Sequence, residues 1–78
     1  MTIISLTKKQ ENIYARIKNF IEKNGYSPSV REIGQASNLR SPSTVYGYLK
    51  ILKEKGYITY EERKPRTIRI LKWKYMDL

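Results

Sequence analysis

The hydrophobic pattern of this chain changes period once. Between Thr7 and Asn24 the apolar positions Ile13, Ile17, Phe20 and Ile21 fall at i, i+4, i+7 and i+8, which gathers them on one helical face. Thr7, with Gln10 three residues on, is a start signal, because the two side chains can each satisfy a backbone N–H of the other; Gly25 suits the stop. After a loop carrying Pro28, the pair Ser29 and Glu32 repeats that capping arrangement. It predicts a short second helix over about Val30 to Ser37, with Val30, Ile33 and Ala36 on its buried side. A turn through Asn38 and Leu39 leads to Ser41 as N-cap and to Pro42 at the first position of a third helix, where a missing N–H does no harm. That helix is expected to run to about Lys55 and to be ended by Gly56. Beyond it the segments "YITYEE" and "TIRIL" are short and rich in Tyr, Ile and Thr, so they read as strands joined by the basic loop "RKPR". The closing "KWKYMDL", residues 72–78, is expected to extend the last strand or to form a tail. No repeat or linker interrupts the pattern, so residues 1–78 are expected to form a single domain.

Three helices followed by a two-stranded antiparallel hairpin is an α+β arrangement in the element order of a winged helix-turn-helix, with the hairpin as the wing. The third helix has an unusual surface. With Val45 as the core direction and about 100° per residue, Leu49, Leu52 and Tyr48 lie within about 60° of it and form the buried stripe. Ser43, Gly47, Lys50 and Glu54 point the opposite way, with Thr44 and Tyr46 at the edges. Glycine inside a helix costs roughly 1 kcal/mol relative to alanine, and an exposed position gains nothing from it in packing. A surface that must let another molecule approach the backbone explains the choice; the alternatives are a tolerated defect or contact with a neighbouring segment.

Charge narrows the partner. Sixteen Lys and Arg against seven Asp and Glu give +9, which calls for a polyanion. The third helix carries Lys50, Lys53 and Lys55, and the same sign recurs at Arg40, Arg63, Lys64 and Arg66 on either side of it. Helix borders and wing tips are where phosphate contacts fix a reading helix in register. The chain has no cysteine and no histidine, which removes disulfides, thiolate metal sites and the commonest general base. Its acidic residues are scattered, so neither an enzyme, a metal, a cofactor nor a small-molecule ligand is expected. The basic residues do not line one face of a long amphipathic helix, and no membrane-spanning run or signal peptide is visible. A cytoplasmic, nucleoid-associated protein is expected.

The segments "GYSPSVREIG", "SPSTVYGYL", "KGYI" and "KPRTIRIL" together resemble the N-terminal DNA-binding domain of the LexA repressor family, most closely its Gram-positive branch. The likeness spans about Leu6 to Leu71. It implies a winged helix whose third helix enters the major groove of double-stranded DNA, in transcription regulation within the SOS response. By resemblance, Ser41, Ser43, Thr44, Tyr46 and Gly47 stand at base-reading positions. Ser29, Arg31, Arg40, Lys50, Lys53, Lys64 and Arg66 are the expected backbone contacts, the last two through the family's K-P-R-x-I wing segment. In the Gram-positive branch the reading segment resembles S-T-V-H-G-H, and both histidine positions are tyrosines here, Tyr46 and Tyr48. The family's second domain, with its serine-lysine peptidase dyad, has no counterpart in these residues. The sequence therefore reads as an excised domain or as a naturally short regulator that keeps the reading head. A homodimer on a palindromic operator would have to use other surfaces, for which Trp73 and Tyr75 are the expected anchors. The competing expectation is a protein-interaction module, such as an antagonist of a full-length repressor.

Overall fold

The computed structural model describes residues 6–71. Trp73, Tyr75 and the whole 72–78 segment, with the expectations attached to them, lie outside the described residues. Helices α1 (Lys8–Asn24), α2 (Val30–Ala36) and α3 (Pro42–Glu54) precede strands β1 (Ile58–Thr59) and β2 (Arg69–Ile70), the order of a winged helix-turn-helix. Both predicted capping boxes are formed, at Thr7 with Gln10 and at Ser29 with Glu32. Gly25 closes α1 in the left-handed conformation, φ 80°.

Each element contributes to one core. Ile13 and Ile17 of α1 meet Ile33 of α2, Val45, Leu49 and Leu52 of α3, and Tyr57, Ile58 and Ile68 from the hairpin. The stripe expected on α3 is the one buried, with Tyr48 half-buried beside it. The expectation for α2 is corrected at one position. Ala36 is exposed, and Gly34 is buried in its place. The reason is the close crossing of the helix-turn-helix: Leu39 N–H donates to Gly34 O at 2.8 Å, and a Cβ on Gly34 would lie 2.9 Å from Leu39 O and 3.4 Å from Val45 Cγ2. The α2 face is thus turned toward Gly34, and Ala36 rotates out. Asn38 makes the tight turn with φ 62°, a conformation Asn tolerates better than most residues.

The strands are shorter than the sequence suggests, two residues each, in antiparallel register Ile58 with Ile70 and Thr59 with Arg69. Side chains take over where the ladder stops. Lys53 Nζ donates to Tyr60 O at 3.0 Å, and Thr67 Oγ1 accepts from Glu61 N–H at 2.9 Å and donates to Lys64 O at 3.1 Å. The wing is therefore a short ladder continued by side-chain bonds and two tight turns.

Gly34 carries the first prediction. An added methyl gains roughly 1 kcal/mol of helix propensity, whereas overfilling a packed site typically costs about 1–3 kcal/mol, and the obstructing atom here is a backbone oxygen. Gly34→Ala is expected to destabilise the domain by about 1 kcal/mol or more in urea unfolding. Unchanged or increased stability would show that α2 and the turn are packed more loosely than described.

Candidate nucleic-acid interface

On α3 the residues with small or polar side chains are the outward ones. Ser43, Thr44, Gly47 and Lys50 are exposed, and Tyr46 is 51% exposed. A Cβ built on Gly47 meets nothing within 4 Å. The exposed glycine therefore packs against no neighbouring part of the described chain, and its backbone lies open on this face. Ser41 holds the N-cap position, yet its side chain makes no cap hydrogen bond; Pro42 supplies the start signal instead.

Two shallow grooves flank this face. One runs between α2 and α3 and is lined by Arg31, Gln35, Asn38, Arg40 and Tyr46, among others. The other lies between the α2 N-terminus, α3 and the wing, where Ser29, Arg31, Tyr46, Arg63 and Lys64 converge. Tyr46 and Arg31 border both. Of the expected contact residues the structure thus assembles Ser29, Arg31, Arg40, Tyr46, Lys64 and Arg66 around the grooves, with Ser41, Ser43, Thr44, Gly47 and Lys50 exposed on the α3 side. Gln35 joins the first groove without having been singled out, since a lone exposed glutamine carries no sequence signal.

Two expected backbone contacts have partners within the protein, although Arg66 stays exposed. Lys53 is half-buried; its Nζ donates to Tyr60 O, sits 4.5 Å from the Tyr60 ring centroid and lies 3.9 Å from Glu62 Oε2. Arg66 forms a bidentate pair with Glu32, Nη1 to Oε1 at 2.9 Å and Nη2 to Oε2 at 3.1 Å. Its Nη1 also donates to Ser27 O at 3.1 Å, and its guanidinium lies 5.2 Å from the Tyr26 ring centroid. Ser27, 7% exposed, accepts from Ile68 N–H at 3.1 Å through its hydroxyl, so loop and wing are stitched together twice. The Lys64 ammonium makes an exposed pair with Glu61 at 3.4 Å, the kind of contact that adds little to stability.

Glu32 has a second task that its sequence spacing did not reveal. Its Oε1 accepts from Ser29 N–H at 2.8 Å, completing the α2 cap, while both oxygens hold Arg66. The Arg66 hydrogen bonds, followed by the Ser29 backbone N–H, hold its carboxyl below the ordinary value of 4.5. The same pairing raises the Arg66 guanidinium.

The fold, the open α3 face and the basic grooves define a winged helix-turn-helix domain of the DNA-binding class. Residues 3–67 match the LexA DNA binding domain family, and the chain belongs to that family. It is 54% identical over 66 residues to the LexA repressors of Staphylococcus epidermidis, Staphylococcus haemolyticus and Staphylococcus aureus, a stretch covering 85% of this chain and 32% of each relative. The chain thus spans about a third of the length of these curated relatives.

The lowered Glu32 value sets a pH dependence. A carboxyl whose folded value lies below its unfolded one contributes stability that is present above 4.5 and lost as pH falls through the folded value. Wild type is expected to be more stable than Glu32→Gln at neutral pH, with the gap closing as the pH is lowered beneath 4.5. Urea unfolding of both proteins across this range checks it, and a gap independent of pH would contradict it.

Proposed function

We propose that this chain binds double-stranded DNA sequence-specifically and acts as a transcriptional repressor by occupying an operator. In this reading α3 enters the major groove, which admits an α-helix and presents a distinct donor and acceptor pattern for every base pair. Ser41, Ser43, Thr44 and Tyr46 face base edges. Hydroxyls donate or accept, and the Thr44 methyl suits a thymine methyl. Ser29, Arg31, Arg40, Lys50 and Lys64 contact phosphates along the two grooves and fix the register. Occupation of a palindrome by two copies joined through Trp73 and Tyr75 belongs to the same proposal, as does action in the cytoplasm at the nucleoid. Family membership and the +9 charge support it. The observation that carries it is the bare patch at Gly47, with open space where a side chain would stand, set among hydroxyls and between basic grooves.

Selection of bound duplexes from a random pool, followed by titration of Gly47 variants on the winning sequence, tests the reading. Gly47→Ala is expected to stabilise the free domain by about 0.5–1 kcal/mol, since alanine is the better helix former at an open site. Affinity for the selected duplex is expected to fall nonetheless, and to fall further with Gly47→Leu. A more stable alanine variant with undiminished specific affinity would remove α3 from the groove.

A further inference from the structure

Arg66 follows Pro65 in a tight turn and adopts φ 57°, a backbone region in which turns favour Gly or Asn and a larger side chain costs of order 1 kcal/mol or more. Its side chain is held by contacts within the protein: three hydrogen bonds to Glu32 and Ser27, with the guanidinium plane over Tyr26. Three of its five N–H donors are committed to the protein, so any movement of the guanidinium toward a phosphate would give up a bidentate pair, the geometry in which Arg binds a carboxylate best. Arg63, at the wing tip, shares that backbone conformation at φ 63° but not the contacts. It is exposed, has no hydrogen bond or ion pair among the described residues, and lines the groove shared by Ser29, Arg31, Lys64 and Arg66 itself.

We propose that Arg66 is a positioning residue, which holds the wing on the α2 N-terminus through Glu32, and that Arg63 makes the wing's phosphate contact. This inference rests on the DNA-binding reading above. Because Glu32 also caps α2, the wing takes its angle from the helix-turn-helix itself, and Arg63 is carried to a set distance from the groove that α3 enters. Arg66 thus contributes to affinity without touching DNA.

The test is the salt dependence of binding to a duplex selected by the wild-type protein from a random pool, with folding followed by circular dichroism. Each phosphate contact contributes about 0.9 to the slope of log affinity against log salt. Arg63→Ala, Arg66→Gln and the double variant are all expected to lose the same slope of about 0.9, because Arg63 reaches its phosphate only when Arg66 holds the wing. Additive losses, about 1.8 in the double variant, would mean two independent contacts and overturn the inference. Glu32→Gln, which keeps a capping side chain, gives a second, independent sign. It removes a negative charge and frees Arg66, so a phosphate-contacting Arg66 predicts tighter binding, whereas a positioning Arg66 predicts weaker binding. Where Arg66→Gln fails to fold, the Glu32→Gln result decides. Wild-type protein that prefers no duplex over random DNA would overturn the DNA-binding reading and this inference with it, whereas additive slopes on a preferred duplex overturn the inference alone.

Discussion

The carboxylate of Glu32 accepts hydrogen bonds from two parts of the chain that the sequence holds far apart. One oxygen takes the Ser29 N–H at the start of α2, and both take the guanidinium of Arg66 in the wing. A hairpin of two-residue strands has little hold of its own, since an isolated two-stranded hairpin is marginal in water. Its orientation has to come from elsewhere. Ile58 and Ile68 anchor it to the core, while Glu32 ties its far side to α2 and the buried Ser27 hydroxyl ties it to the loop before α2. Wing and helix-turn-helix therefore behave as one frame.

The same frame depends on a close approach at its other end. Gly34 lets the turn at Leu39 and the side chain of Val45 come against α2, so that α3 leaves the turn with its stripe of Val45, Leu49 and Leu52 inward. The two conspicuous helical glycines thus do opposite things. Gly34 is small because the protein's own backbone is near; a Cβ on Gly47 would meet nothing of the described residues beyond its own helix backbone within 4 Å.

Local signals were legible in the sequence, and long-range ones were not. The caps at Thr7 and Ser29, the Pro42 start and the periodic stripes of α1 and α3 involve neighbours three or four residues apart, which spacing alone reveals. The outward direction of Gly47 followed from the helical wheel. Ala36 was misplaced because the choice between it and Gly34 depends on where α3 crosses, and no pattern within α2 records that. The partners of Arg66 and Lys53 were not legible, because Glu32 and the Tyr60 carbonyl are distant in sequence or belong to the backbone. The strands read as longer because Thr67 and Lys53 side chains, invisible to a period-two pattern, take the backbone groups of the expected ladder.

The proposed entry of α3, small and polar on its outer face, into the major groove relies on the frame that Glu32 and Gly34 hold. Its most direct test is a set of intermolecular proton NOEs in a complex with the preferred duplex. Contacts from the Gly47 Hα protons and the Thr44 methyl to major-groove protons, such as thymine methyls and cytosine H5, are expected. Contacts from the same protons only to sugars lining the minor groove, or none while α1 protons approach the duplex, would contradict it.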